Sequence, residues 1–265
     1  MTYFEGFIAP VPEANRDAYR KHASDFSALS PEFGVGRHVE AWDSDVPEGK
    51  VTDFRKSVDA KPDEKVVLAF FEYPSRQARD AANEKFMSDP RMEEMGKDMP
   101  FDGKRMIMGG FDAIVEEGEA GGSYTDGFVV PVPESKRDAY QQLASKMAKV
   151  FRHHGANRVI EAIADDVQHG KVTDFYRAVK AEDGETVVFS FIEWPDKATR
   201  DEAWQKIMSD ESLKPEAKCL SPGSACSGAG STRSSTLPVR KFVSRRPSTP
   251  DGRFSQSESR RANHV

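Results

Sequence analysis

A single offset of 121 residues organises this chain. GFIAPVPEANRDAY at 6–19 returns as GFVVPVPESKRDAY at 127–140, GKVTDF at 49–54 returns at 170–175, and VVLAFFEYP at 66–74 returns as VVFSFIEWP at 187–195. From Tyr3 to Pro90 the match runs without a gap, with 40 identities in 88 positions. Repetition on this scale means that one structural unit is built twice. The 265 residues therefore divide into a first copy (1–117), a linker (118–123), a second copy (124–218) and a tail (219–265). Gly118, Gly121 and Gly122 free the backbone in the linker.

Hydrophobic periodicity sketches the unit. Residues 3–10 alternate and read as a strand ended by Pro10 and Pro12. Residues 13–29 carry Ala14, Ala18, Tyr19, His22, Ala23 and Phe26 at helical spacing, and Gly34 and Gly36 end that helix. Residues 35–43 read as a strand, and 51–58 with 65–73 as a hairpin. Residues 75–89 read as a helix with Ser75 as N-cap, and 104–115 as the closing strand. The order β-α-β-β-β-α-β implies an α+β fold: ferredoxin-like antiparallel sheets with helices on one face. The other face of each sheet is rich in apolar residues and has to be covered. The second copy is the nearest cover, which predicts two sheets face to face in an intrachain dimeric α/β-barrel.

Composition narrows the function classes. A net charge of −6 argues against nucleic acid as partner for the chain as a whole. The last 47 residues hold eight Arg or Lys against Asp251 and Glu258, so the body is more acidic than the whole. That basic tail has only Phe242 and Phe254 as aromatics and no stacking pattern. Both cysteines, Cys219 and Cys226, lie in the tail, which leaves the body without a disulfide or a thiolate metal site. No apolar run approaches a membrane span, and no leader pattern opens the chain; a soluble cytoplasmic protein is expected. No cofactor fingerprint, metal-ligand set or complete nucleophile constellation is present. The GGF at 109–111 lies inside a strand and lacks the Lys-Ser/Thr ending of a phosphate loop, so it reads as a bulge or close backbone contact.

The second copy breaks off after Lys218. Where the first copy continues MPFDGKRMIMGGFDA (99–113), the second continues CLSPGSACSGAGSTR (219–233). Codons compatible with that stretch, read one base earlier, can spell MPFPGKRMFWGGFDA, which matches the first copy at 12 of 15 positions. A reading-frame shift near Lys218 is inferred. The second copy is then expected to lack its closing strand, leaving an open edge prone to self-association, and residues 219–265 to be disordered.

At YFEGFIAPVP, WDSDVPEGKVTDFRKSV, FEYPSRQARDAANEKFMSDPRM and MPFDGKRMIMGGF the chain resembles the YbaA-like bacterial family of unknown function. The resemblance covers about 1–117 and 124–217. It implies a dimeric α/β-barrel, related in shape to small cofactor-free monooxygenases, and carries no activity or catalytic residues with it.

Candidate site residues come from strand parity. His38, Glu40 and Trp42 share one face of 35–43; Val159, Glu161 and Ile163 are their counterparts. A carboxylate between apolar neighbours in both copies points to Glu40 and Glu161 facing the space between the sheets. Burial there would raise the pKa and suit a general acid or base, with His38 as proton shuttle. The bland alternatives are a carboxylate paired with a nearby Arg and a His satisfied in a pocket wall. Trp42 is pocket or core material. Glu72 and Glu193 end the most apolar strand of each copy, at a pocket rim, in solvent or bonded to a backbone N–H. Arg37 with Arg158 and Asp53 with Asp174 read as salt-bridging residues. The functional expectation is an unidentified small apolar molecule, bound or converted in an inter-sheet pocket. The alternatives are a structural or interaction domain, or a degraded gene product whose second half has lost its function.

Overall fold

The computed structural model describes residues 2–213 together with the backbone of Ser235–Phe242. In the first copy, β1 (Tyr3–Pro12), α1 (Arg16–Phe33), β2 (Arg37–Asp43), the single turn α2 (Phe54–Ser57), β3 (Glu64–Tyr73), α3 (Arg76–Ser88), α4 (Pro90–Lys97) and β4 (Ile107–Gly118) follow one another. The second copy repeats this as β5 (Tyr124–Pro133), α5 (Arg137–His153), β6 (Arg158–Asp166), α6 (Phe175–Ala178), β7 (Glu185–Trp194) and α7 (Lys197–Ser209). An eighth strand, β8, spans Ser235–Phe242.

Local chemistry accounts for the helix ends. Gly34 closes α1 with φ 100°, a conformation costly for residues with a Cβ. The Ser75 hydroxyl accepts from the Ala78 amide to start α3, and Asp196 does the same for α7 through Thr199. Asp89 ends α3 and caps α4, with Pro90 in its first turn. The segment 51–58, expected as a hairpin strand, contains a helical turn instead. Asp53 accepts from the Lys56 amide at 2.8 Å and from Gly49 N at 3.2 Å, and Asp174 repeats both bonds. A side chain that bonds its own downstream backbone competes with sheet pairing, and alternation of apolar residues does not reveal it.

The strands form one closed antiparallel barrel in the order β1-β3-β2-β8-β5-β7-β6-β4. The two copies are thus not separate sheets laid face to face: β4 pairs with β6 and β8 with β2, so main-chain ladders join the halves. Strand β8 sits between β2 and β5, where β4 sits between β6 and β1 in the other half. The edges expected to be open are therefore paired here, by a segment unlike β4 in sequence. An open strand edge offers main-chain donors and acceptors that are indifferent to side chains. The remaining residues of 219–265, on which the expectation of a frame-shifted, disordered tail falls, lie outside the described residues.

Among the described residues the barrel interior is tightly packed. Phe4, Phe70 and Phe111 from the first copy meet Phe175, Phe189 and Phe191 from the second, all at 0% exposure. Phe70 and Phe191, related by the 121-residue offset, stack with centroids 4.1 Å apart. Helices cover the outside: α1 packs on β2, α3 on β1 and β3, and α5 on β4 and β6. Among the described residues no helix is long and apolar enough to cross a membrane.

Candidate functional site

Among the described residues the interior is packed with phenylalanine, and the cavity the structure shows lies outside the barrel rather than between the sheets. On β2 it is Val39 and Ala41 that join the interior core. His38, Glu40 and Trp42 face outward, beneath the helices. Parity sorts residues into two faces without saying which is inside, and for β2 the more uniformly apolar face goes in.

A cavity of about 530 Å³ lies on this outer side of the first copy, between its sheet and α1, α3 and α4. The strand registers set its floor as a grid. Glu5 on β1 pairs with Phe71 on β3, which pairs with His38 on β2. In the next row Phe7, Ala69 and Glu40 align, and in the third Ala9 and Val67 reach the floor while their register partner Trp42 does not. Ala69 is the small tile at the centre. Tyr19, His22, Ala23 and Phe26 of α1 form one wall. Asn83, Phe86 and Met87 of α3 form another, and Phe101, Met106 and Met108 complete the lining. Methionine and phenylalanine dominate, which gives an apolar surface able to adjust to its occupant.

Two polar stations interrupt that surface. At one, Glu40 is held from both sides: the Tyr19 hydroxyl donates to Oε2 at 2.7 Å, and His38 Nε2 lies 2.7 Å from Oε1. Burial, and then the adjacent Glu40 charge, push the Tyr19 hydroxyl well above its ordinary pKa, so it stays a donor. His38 is seated edge-on against Phe26 and Phe71. His22, on the wall above, has its pKa lowered by burial. The other station is Glu5, 3% exposed, whose Oε1 accepts from Asn83 Nδ2 at 3.1 Å. Arg79 Nε lies 4.0 Å from that oxygen, while Arg79 Nη2 serves the Tyr3 hydroxyl and Asp166. Burial raises the Glu5 pKa. The Tyr73 hydroxyl and Arg79 Nε are buried without a hydrogen-bond partner.

Of the sequence candidates, His38 and Glu40 come together at the cavity. Trp42 lies behind Tyr19 in the core rather than in the lining, with ring centroids 6.0 Å apart. Glu161 occupies the matching place in the second copy, bonded by the Tyr140 hydroxyl at 2.7 Å, and burial pushes its pKa up to about 7. Neither Glu72 nor Glu193 lines the cavity beneath the helices, and the Gly121 amide donates to Glu193 Oε2 at 3.3 Å. They point into one end of the barrel, where Arg37 bonds both and Arg158 bonds Glu72 at 2.9 Å. This cluster crosses between copies, so no pattern within one copy could announce it. The residues that sequence reasoning missed are Glu5 and Asn83. The signal was the alternation of β1, which places Glu5 with Phe7 and Ala9 on the helix-covered face.

Among the described residues no group of three or more His, Cys, Asp or Glu is placed to hold a metal. The fold is that of the dimeric α/β-barrel proteins. It is similar to the solved structures of a “putative monooxygenase” from Fusobacterium nucleatum (TM-score 0.56, 10% identity, 91% of this chain and 92% of that one). It is also similar to one so named from Lactobacillus acidophilus (0.53, 10%, 91% and 93%) and to an anthrone oxidase-like protein (0.52, 11%, 91% of each). At such identity the likeness concerns fold alone. The chain belongs to the family described as Protein of unknown function (DUF1428), whose model matches residues 2–103 and again 123–221. Its relatives include the uncharacterized protein YbaA of Escherichia coli (strain K12) and that of Shigella flexneri. Each is 57% identical over 117 residues, which is 44% of this chain and the whole of the relative.

Proposed function

We propose that the first copy binds a small, largely apolar molecule in the cavity beneath its helices, with Glu40 meeting the ligand's polar group. The observation that carries this is an aromatic and methionine-lined space of about 530 Å³ with a fixed carboxylate in its wall. Tyr19 and His38 orient both Glu40 oxygens, so Glu40 can accept a hydrogen bond or a proton there, and His38 can pass the proton on. The shape analogy with monooxygenase-named structures is compatible with turnover, but the site itself supports binding first.

We also read the chain as a one-chain counterpart of a two-subunit barrel. Support comes from the 121-residue offset, the pairing of β4 with β6, and relatives whose whole length is about that of one copy. In that arrangement the second copy has a structural role, because Trp204 stands where the first copy has Asn83. Its indole Nε1 donates to Asp126, the counterpart of Glu5, at 2.9 Å.

The test is a titration with the neutral fluorophore N-phenyl-1-naphthylamine. At ~0.4 kcal/mol per heavy atom a ligand of this size should bind with a dissociation constant on the order of 10 μM. Asn83→Trp, which copies the second half into the first, should weaken binding at least tenfold while thermal melting confirms a folded barrel. Undiminished binding by that folded variant would remove the cavity as the site.

A further inference from the structure

The cavity joins carboxylates to imidazoles, His22 and His38, on an apolar surface. Its lining includes two carboxylates, Glu5 and Glu40, and no Lys or Arg. The two are not equally provided for. Each Glu40 oxygen has a close partner, one in Tyr19 and one in His38. Glu5 is more deeply buried, at 3% exposure; its hydrogen-bond donor is the neutral amide of Asn83, while its ion-pair partner Arg79 stands at 4.0 Å and the nearby Tyr73 hydroxyl has its pKa raised by burial and then by the Glu5 charge.

The second copy shows what full provision looks like at this position. Asp126 receives Arg200 Nε at 3.0 Å and the indole N–H groups of Trp194 and Trp204 at 3.0 and 2.9 Å. A buried carboxylate whose own cationic partner stands at 4.0 Å, against 3.0 Å for Asp126, gains from a ligand that brings a positive charge into closer contact. Phe7 lies beside Glu5 on the same strand face, and Phe71 is its register partner. An aromatic face favours a cation over an anion within about 6 Å of its centroid. The acidic body of the chain also concentrates cations around it.

We propose that the first-copy cavity selects a lipophilic cation, an amine whose ammonium group docks at Glu5 while its apolar body lies over Phe71 and Ala69 toward Glu40. This rests on the reading of the cavity as a binding site. Glu5 and His38 are two strands apart in one register row, roughly 9–10 Å between backbones. A ring system of two fused rings with a one-carbon ammonium arm spans that distance.

Three probes with one skeleton separate the possibilities: 2-naphthylmethylamine, 2-naphthylmethanol and 2-naphthoate, each titrated calorimetrically into the whole protein at pH 7.5. The ammonium probe should bind at least tenfold tighter than the alcohol, and the carboxylate weakest. Glu5→Gln should bring the amine to the level that the same variant shows for the alcohol. Equal affinity for amine and alcohol in the wild type overturns cation selectivity while the cavity reading stands. A preference for the amine that survives Glu5→Gln overturns the role of Glu5. If none of the three binds, or if Asn83→Trp binds all three as well as wild type, the cavity reading itself falls.

Discussion

The two copies share a backbone plan and differ in what they do with the space beneath their helices. In the first, the central rows of the floor are Glu5–Phe71–His38 and Phe7–Ala69–Glu40. In the second they are Asp126–Ile192–Val159 and Phe128–Ser190–Glu161. The tyrosine–carboxylate bond is kept at 2.7 Å in both. The imidazole is replaced by valine, Ala9 by Val130, and Asn83 by Trp204, whose ring packs against Phe151 at 5.2 Å. Both halves thus present the same carboxylate from the same strand, partly exposed as Glu40 and buried as Glu161. One surrounds it with room and a histidine, and the other with packed side chains. Conserved architecture and divergent filling within one chain separate the residues that make the fold from those that make the site.

Trp204 is the sharpest point at which to break this comparison. Truncating it to alanine removes packing against Phe128 and Phe151 and one of the donors to buried Asp126. A loss of about 3–5 kcal/mol is expected for a large aromatic with such contacts. Asn83→Ala, at the equivalent position beside an existing cavity, should cost about 1 kcal/mol through the single bond to Glu5. Denaturant melts of both variants check the contrast. Equal costs would mean that the second copy is not the packed half.

The carboxylates differ in a way that pH can read. Burial, opposed by hydrogen bonds from Tyr140 and Ser190, raises the Glu161 pKa from 4.5 to about 7. The folded state therefore binds a proton more tightly than the unfolded chain does. The stability from the neutral carboxyl is full below about pH 4.5 and is lost as pH rises toward 7. The size of the effect is on the order of 3 kcal/mol. Glu161→Gln keeps a neutral polar group in place. It should flatten the pH dependence of the melting temperature between pH 5 and 7.5, and its gain over wild type should be largest at the high end. A parallel pH profile for wild type and variant would show that Glu161 does not titrate in this range.

How much of this was legible beforehand follows from where each signal sits. The repeat and the alternating and helical periods are written within each copy, so the α+β elements and the resemblance to the family could be read directly. Closure into one barrel depends on β4 pairing with β6, a contact between copies that no local pattern encodes. The inward face of β2 was misjudged because Glu40 between apolar neighbours looks like an interior residue. The decisive feature was that Val39 and Ala41 could join an interior of stacked phenylalanines. The arginine partners of Glu72 and Glu193 come partly from the opposite copy, so the pattern within one copy does not reveal them, whereas the backbone N–H expected at the strand end is found for Glu193 in Gly121. His38 and Glu40 were found together because one strand carries both. Glu5, on another strand, needed the register to bring it to the same cavity.

The smallest effect tests what the copies have in common. Asp53 and Asp174 start equivalent helical turns, each accepting from the amide three residues on at 2.8 Å and from a glycine amide four residues back at 3.2 Å. Both are nearly buried, at 4% and 3% exposure. The flanking contacts also correspond across the halves: the Thr52 hydroxyl donates to Ala178 O, and the Thr173 hydroxyl donates to Ser57 O. Replacing either aspartate with alanine leaves the same amides without their acceptor. Each substitution should therefore cost about 1 kcal/mol, the usual size of a lost N-cap. The two values should agree within about 0.5 kcal/mol, and the double variant should lose close to their sum unless the threonine contacts couple the turns. Chemical denaturation of the two single variants and the double supplies all three numbers. A marked inequality between the single variants would show that the divergence between the copies extends from the cavity into the capping turns that the structure shows as equivalent.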